Sequence, residues 1–176
     1  YKSNIDIFEL NNDLNIENIK TKIDLDEVLD THIVKDDFFI SGYKKKDKNC
    51  YLLKIIQSKL DDTLEFSTLI EFDECGIKIR GGRIHDYIHE GTNGLLITTA
   101  DFILDEPRGN SQSNSSIFGK TLFINLENKN YSIFSKGHRN SLGLEVIDKI
   151  IISSEHGPKG GDEINLINNN QNYGWP

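Results

Sequence analysis

Three short clusters near the end of the sequence combine residue types that bind anions and hard cations. The first is Gly-His-Arg-Asn at residues 137–140, directly after a strand-like run. Arginine offers a planar fork of donors for carboxylates, and asparagine adds one donor group and one acceptor. This connection therefore suits an anionic, carbonyl-rich ligand. Composition alone leaves open a plain loop whose arginine pairs with a neighbouring acid.

The second cluster is Ser-Glu-His-Gly-Pro-Lys-Gly-Gly-Asp-Glu at residues 154–163. Its glycines and proline allow a tight backbone whose carbonyl oxygens can point outward. Together with Glu155, Asp162 and Glu163, those carbonyls form the hard oxygen donor set that calcium prefers. The spacing is not that of an EF-hand loop, and a polar turn between strands is the alternative.

The third cluster is Asn-Tyr-Gly-Trp-Pro at residues 172–176. Two aromatic rings beside a glycine and a proline indicate either a packed corner or a wall on which a sugar ring could stack. Packing alone accounts for the pattern, so a packed corner is the favoured interpretation.

Short strand-like runs must position these clusters. Runs of mostly four to eight residues, rich in Ile, Phe, Tyr, Thr and Val, are separated by Asn, Asp and Gly turns, which predicts an all-β fold. The predicted strands are residues 6–10, 38–43, 51–57, 66–72, 83–88, 95–99, 121–126, 131–135, 144–147, 150–154 and 164–167. The best helix candidate is residues 15–20.

A rough repeat narrows the fold class. Residues 36–72, 82–135 and 142–167 each read as successive strands, and blades of about 40–50 residues are typical of β-propellers. On that period the sequence holds three to four blades of a β-propeller. The polar stretch 105–116 is predicted to be an exposed loop that is either mobile or functional.

Composition excludes some function classes. The chain has 28 acidic and 20 basic residues and a net charge of −8, which disfavours nucleic-acid binding. No apolar run reaches membrane-spanning length. The start at Tyr1 and the absence of methionine predict a single partial domain, 1–176, truncated at both ends. Cys50 and Cys75 are interpreted as two buried thiols, with a bridge as the alternative.

The three clusters together resemble the soluble glucose/sorbosone dehydrogenase family, which includes the aldose sugar dehydrogenases. Residues 137–144 are similar to its GHRNPQGL element, 154–167 to SEHGPRGGDEINLI, and 172–176 to NYGWP, all in the same order. Upstream, residues 81–84 resemble its GGRL strand and 117–124 its LLGKILRI strand. The resemblance is clearest over residues 79–176.

The resemblance implies a six-bladed β-propeller that binds pyrroloquinoline quinone (PQQ) and calcium. It implies cofactor contacts from Arg139, Asn140 and His156. It implies that the backbone carbonyls of Gly157 and Pro158 ligate the active-site calcium. Glu163 and Tyr173 match backbone ligands of a second, structural calcium.

Two positions depart from the family pattern. The family's catalytic base is the histidine before the GGRL strand, and here that position is Ile79, which cannot accept a proton. The catalytic residue is therefore unknown, since His85 and His89 lie several residues downstream. Leu142 stands where the family has glutamine, so an amide contact near the cofactor is lost.

The resemblance predicts a quinoprotein that oxidises aldose sugars at the anomeric carbon. Its partners would be a sugar and an external electron acceptor, and its compartment the periplasm or the exterior of the cell. The alternative, which Ile79 favours, is a non-catalytic, calcium-stabilised propeller that serves as a binding module.

Overall fold

The computed structural model describes residues 6–10, 16–19, 21–61, 63–76, 80–101 and 109–176. Over these ranges the chain forms thirteen β-strands and no helix. The strands are β1 Ile7–Leu10, β2 Ile16–Ile19, β3 Glu27–Val34, β4 Asp37–Asp47, β5 Cys50–Lys59, β6 Ser67–Glu71, β7 Gly81–His89, β8 Thr92–Thr99, β9 Lys120–Asn125, β10 Tyr131–Lys136, β11 Ser141–Ile147, β12 Ile150–Glu155 and β13 Glu163–Leu166. The described residues therefore contain no helix that could cross a membrane.

The strands form antiparallel sheets in which neighbours follow one another along the chain. β3–β6 and β7–β10 are four-stranded sheets, β11–β13 is a three-stranded sheet, and β1–β2 is a hairpin. Short turns make these local pairings, and successive sheets then pack face to face as blades. The prediction of an all-β propeller with three to four blades is confirmed.

Two sequence predictions about the first part of the chain were wrong or incomplete. The predicted helix at 15–20 is wrong, because Ile16–Ile19 is strand β2 and pairs with β1. Strand β3 was missed because charged residues interrupt its apolar pattern. Its pairing with β4, from Glu27↔Tyr43 to Val34↔Asp37, is a tertiary property that local propensity does not show.

Strand β8 explains why the blades pack on both of their faces. Its run Leu95, Leu96 and Ile97 is fully buried. Leu95 and Ile97 join the core between the first two four-stranded sheets, whereas Leu96 joins the core shared with the three-stranded sheet. Because side chains alternate along a strand, an unbroken apolar run is what a sheet buried on both faces requires.

The first strand of each larger sheet lies beside the first strand of the next. β7 contacts both β3 and β11, and these three are called the inner strands below. Arg83 of β7 ties them together, because its Nε donates to Leu142 O at 2.7 Å and its Nη1 donates to Leu29 O at 3.1 Å.

The structure overturns the interpretation of the two cysteines as free thiols. Cys50 and Cys75 form a disulfide, and their Cα atoms are 4.9 Å apart. The approach follows from an isolated bridge in which the backbone N–H of Tyr51 donates to Gly76 O at 2.9 Å and that of Gly76 donates to Tyr51 O at 3.0 Å. Sequence reasoning missed the bond because β6 intervenes between the two cysteines.

Reduction of this disulfide should lower stability. A cross-link with a sequence separation of 25 restricts the unfolded chain, and a loop of this size is worth about 3–4 kcal/mol. We expect the free energy of unfolding of Cys50→Ser/Cys75→Ser to be lower than that of the oxidised parent by this amount, and its urea midpoint to fall accordingly. An unchanged midpoint would contradict this prediction.

Candidate functional site

Two of the predicted clusters lie side by side because β11 and β12 pair. The register places Ser141 opposite Glu155, so the connection 137–140 before β11 faces the loop 156–162 after β12. The backbone N–H of His156 donates to Asn140 O at 2.9 Å and closes this contact. Residues 171–176 come back to the same end of the sheets, where Tyr173 N–H donates to Lys136 O at 2.8 Å.

A buried histidine–carboxylate pair holds the first cluster in place. His138 is fully buried, with Nδ1 at 3.0 Å from Glu155 Oε2 and Nε2 at 2.8 Å from Ser135 Oγ. Its ring stacks on Tyr173 with centroids 4.7 Å apart. Ser141 Oγ also donates to Glu155 Oε2 at 3.1 Å, and the backbone N–H of Arg139 donates to Oε1. One carboxylate thus fixes both ends of the connection.

These donors decide the ionisation of Glu155. Burial by itself raises the pKa of this carboxyl, but the hydrogen bonds from His138, from the Arg139 N–H and from Ser141 outweigh burial and hold its pKa below the ordinary value. Glu155 is therefore a buried carboxylate that orders the loop. Its oxygens accept hydrogen bonds from the protein, so we do not assign it as a calcium ligand.

Arg139 lies over an aromatic ring at the rim of the site. Its guanidinium carbon is 5.3 Å from the Trp175 ring centroid, and Nη1 donates to His156 O at 2.8 Å. The ring contact matches a cation–π interaction. The guanidinium is thereby oriented by both of the neighbouring clusters.

The stretch predicted to be an exposed loop supports this aromatic platform. Residues 105–108 of it lie outside the described part of the chain, but Ser111 and Ser116 are buried, so exposure was the wrong expectation for them. Ser111 Oγ and Gln112 Nε2 donate to Trp175 O at 2.7 and 2.6 Å. Sequence reasoning missed these two residues because nothing local links them to Trp175.

A buried lysine anchors the same stretch. Lys120 Nζ donates to the carbonyl oxygens of Asn110, Ser111 and Phe118 at 2.6, 3.0 and 2.6 Å. Burial lowers the pKa of Lys120 to about 8. The lysine therefore holds the backbone of Asn110 and Ser111, and Ser111 in turn contacts Trp175.

Asn140 carries an unusual unpaired atom. The residue is 3% exposed, and its Oδ1 has no hydrogen-bond partner within the described structure. An unpaired buried amide oxygen costs free energy, and the described residues supply no donor to this one.

The loop predicted to bind calcium is a closed backbone turn. Asp162 Oδ1 accepts from Gly157 N–H at 3.0 Å and lies 3.2 Å from His156 Nδ1, while Gly161 N–H donates to Pro158 O at 3.0 Å. A Cβ on Gly157 would overlap the carbonyl oxygen of Gly161. Only glycine fits at that position.

One cleft of about 300 Å³ gathers most of the predicted site. It is lined by Arg139, Gly157, Pro158, Glu163 and Tyr173, and also by Glu155, Gly161, Gly174 and Trp175. An adjoining cleft of about 460 Å³ contains His156 beside Leu142, Asp162 and Glu163. Asn140 lines neither of these clefts. The packed corner predicted for 172–176 is present, because Tyr173 contacts His138 and Trp175 contacts Arg139.

The expected base position, Ile79, lies outside the described residues. Downstream of it, Ile84 is buried in the core, while His85 on the opposite face contacts Glu145. His89 packs against aromatic rings of Tyr87, Phe123 and Phe134. Among the described residues, the partners of these two histidines all lie outside the cleft.

Comparison with known proteins connects this arrangement to a family. The family model described as Glucose / Sorbosone dehydrogenase matches residues 43–176. The chain belongs to this family. The glucose/sorbosone dehydrogenase match begins within β4 and covers the sheets β7–β10 and β11–β13 and all three clusters.

Individual relatives agree with the family assignment. A stretch of 79 residues is 37% identical to quinoprotein glucose dehydrogenase B of Acinetobacter calcoaceticus, covering 38% of this chain and 16% of that protein. Another stretch of 56 residues is 41% identical to aldose sugar dehydrogenase YliI of Escherichia coli strain K12, covering 31% of this chain and 15% of that protein.

The fold is shared with a solved member of the group. The structure of the soluble aldose sugar dehydrogenase from Escherichia coli in its apo form superposes with a TM-score of 0.78 at 21% identity. The match covers 97% of this chain and 57% of that chain. The chain therefore spans just over half of a solved relative.

Proposed function

We propose that this protein is a quinoprotein sugar dehydrogenase that oxidises aldoses at the anomeric carbon with PQQ and calcium. The observation that carries the proposal is the cleft that brings Arg139, Gly157, Pro158, Glu163 and Tyr173 together. Residues of all three clusters, which resemble the family's cofactor and calcium elements, line this cleft. Family membership supports the oxidoreductase class.

The residues present fit the quinone. PQQ is a tricarboxylate that carries an ortho-quinone, and the Arg139 guanidinium provides planar, permanently charged donors for such an anion. The unpaired Oδ1 of Asn140, the next residue, marks a buried polar position. The Trp175 ring keeps the guanidinium oriented.

The residues also fit calcium. Carbonyl oxygens of a glycine-rich turn, with Asp162 and Glu163 adjacent, are hard donors for a flexible oxygen shell. Asp162 stabilises the turn by accepting from Gly157 N–H. Gly157 and Pro158 line the same cleft as Arg139, so their carbonyl oxygens are the proposed ligands.

The chemistry is then divided between cofactor and protein. When bound, PQQ supplies the hydride acceptor and calcium polarises it. Arg139 binds and orients the anion, and its positive charge favours the more anionic reduced form. His138 and Glu155 hold the backbone that carries Arg139. The proton of the anomeric hydroxyl needs a base, and Ile79 cannot provide one.

Ile79 favours a second candidate function. A propeller that keeps its calcium loop and lacks the base would serve as a calcium-stabilised binding module without catalysis. The two candidates differ in quinone binding and in sugar-dependent turnover, so a single titration separates them.

The test uses the complete protein in millimolar calcium, titrated with PQQ. Quinone absorbance reports binding, and dye reduction with a panel of aldoses reports turnover. Binding with turnover supports the dehydrogenase. Binding without turnover, restored by Ile79→His, identifies a lost base, which is worth about 10²–10⁴-fold in rate. Absence of binding overturns the dehydrogenase and leaves the binding module.

Arg139→Met should weaken quinone binding between about tenfold and a hundredfold, because a hydrogen bond to a charged group contributes about 1.5–3 kcal/mol. Lys149→Met is the matched control, since it removes one cation from an exposed turn of the same sheet and should leave quinone affinity unchanged. Equal affinities for both variants would refute the role of Arg139.

The proposed compartment is the periplasm or the exterior of the cell. The Cys50–Cys75 disulfide supports it, because such bonds persist mainly in oxidising compartments.

A further inference from the structure

A second group of potential ligands lies on the inner strands. His32 of β3 and His85 and Asp86 of β7 each offer one ligand atom, and these atoms lie within 4.8 Å of one another. His32 Nε2 is 2.8 Å and His85 Nδ1 is 3.2 Å from Asp86 Oδ1. His85 Nδ1 also lies 2.9 Å from the backbone oxygen of Asp86, a hydrogen bond that a bound ion would replace. The two imidazole rings are 4.6 Å apart between centroids. Two imidazoles and a carboxylate converge on one point.

The hydrogen bonds at this point conflict. The backbone N–H of Asp86 points at His32 Nε2 from 3.2 Å, while Asp86 Oδ1 lies 2.8 Å from the same nitrogen. With a hydrogen on Nε2, the ring donates to the Asp86 carboxylate but cannot accept from the Asp86 amide. Without that hydrogen, the ring accepts from the amide, but its lone pair faces the carboxylate oxygen without a hydrogen between them. No tautomer satisfies both. A cation bound between the nitrogen and the oxygen would take the place of the Nε2 hydrogen toward the carboxylate.

We propose that His32, His85 and Asp86 bind a divalent transition metal of the zinc type. Two imidazole nitrogens and one carboxylate oxygen are ligands that zinc accepts, with water completing four-fold coordination. Bonds of about 2.0–2.1 Å place tetrahedral ligand atoms about 3.3 Å apart. The observed separations of 2.8 and 3.2 Å need a small outward shift of the side chains, and the two imidazole nitrogens, which lie within 4.8 Å of each other, must reach the same spacing.

Glu145 of β11 completes the arrangement from the third sheet. Its Oε1 lies 3.2 Å from His85 Nε2, the ring nitrogen opposite the one that faces Asp86. A carboxylate on the outer nitrogen of a ligating histidine fixes the ring and makes it a better ligand. The ion would thus link β3 and β7 directly and β11 through Glu145.

The site is open to an incoming ion and separate from the cleft. The His32 and His85 side chains are each 18% exposed and Asp86 is 48% exposed. Glu145 is four residues beyond Ser141, which places it about 13 Å along β11 from the start of that strand. Metal binding here does not depend on whether the protein binds PQQ.

The experiment uses the complete protein, stripped of transition metals and kept in millimolar calcium so that oxygen-ligand sites are filled. Cobalt(II) serves as the probe, because four-coordinate cobalt absorbs visible light, and zinc then displaces it. We expect one equivalent to bind. His32→Gln and His85→Gln should each weaken binding about a hundredfold or more, and Glu145→Gln about tenfold, as loss of an outer partner does.

His89→Gln is the matched control, since it lies on the same strand and packs among aromatic rings away from the cluster. Its cobalt affinity should equal that of the parent. Asp86→Asn tests the site without removing a ring, should a histidine variant fail to fold. Absence of cobalt and zinc binding in the parent, or equal affinity in the parent, His85→Gln and Asp86→Asn, overturns the proposal.

Discussion

Glu155→Ala should lower the free energy of unfolding by about 3 kcal/mol or more, because three donors lose their charged acceptor and an unpaired buried donor costs about 1–3 kcal/mol. The substitution leaves the His138 imidazole buried without its carboxylate, and it removes the acceptor of the Arg139 N–H and the Ser141 hydroxyl. Each unpaired buried donor adds its own desolvation penalty. Urea denaturation followed by circular dichroism measures the change.

The pH dependence gives an independent signature. The folded-state pKa of Glu155 lies below the ordinary value of 4.5, so its contribution to stability is complete above pH 4.5. That contribution is lost as the pH falls through the folded-state pKa, because the unfolded state then binds more protons. The difference in unfolding free energy between the parent and Glu155→Gln should therefore be constant above pH 4.5 and shrink below it.

Glu127→Gln is the matched control, since this glutamate is exposed in the turn after β9. An exposed carboxylate of this kind should change stability by no more than about 0.5 kcal/mol. A Glu155→Gln protein as stable as the control at pH 7, with a parallel pH profile, would contradict the assignment of Glu155 as the organiser of the loop.

Local patterns in the sequence are sufficient for most of the strands and for the identity of the site loops. Alternating apolar residues with Asn, Asp and Gly turns locate eleven of the thirteen strands, because antiparallel neighbours are consecutive in the chain. Strand β3 is lost to charged residues whose pairing with β4 overrides their propensity. Local reasoning therefore fails where a tertiary contact decides the structure.

The same limit applies to the site. Residues 137–140 and 154–163 are recognisable as clusters, but their association depends on the β11–β12 register. The His138–Glu155 pair, the support of Trp175 by Ser111 and the Cys50–Cys75 bond all join positions far apart in sequence. A histidine followed many residues later by a glutamate carries no local signal, so only the folded chain identifies such partners.

Gly157→Ala should weaken calcium binding more than about a hundredfold, beyond the 10–100-fold that loss of one outer-shell partner costs. The new Cβ would overlap Gly161 O and lie 3.0 Å from Asp162 N, both backbone atoms that no side-chain rotation can move. The turn must open, and the carbonyls of Gly157 and Pro158 then leave the positions proposed for calcium ligands, which need oxygen distances of about 2.3–2.6 Å.

Gly160→Asn separates the clash from general damage to the loop. Gly160 lies three residues on, at φ +87°, where an added Cβ would meet no atom within 4 Å and asparagine tolerates a left-handed backbone. We expect its calcium affinity to stay within about tenfold of the parent, because only modest backbone strain is added. Gly157, in contrast, has no left-handed φ, so alanine there suffers from the contact alone.

Calcium-dependent stability provides the measurement. A ligand at a hundred times its Kd stabilises the folded state by about 2.7 kcal/mol, and a hundredfold weaker site at the same concentration contributes only about 0.4 kcal/mol. Melting with and without calcium should therefore show a stabilisation for Gly157→Ala that is smaller than that of the parent and Gly160→Asn by about 2.3 kcal/mol, whatever a second calcium contributes to all three. Equal shifts in all three proteins would place the calcium ligands elsewhere. A smaller shift in Gly157→Ala that is accompanied by weaker PQQ binding would link this turn to both ligands.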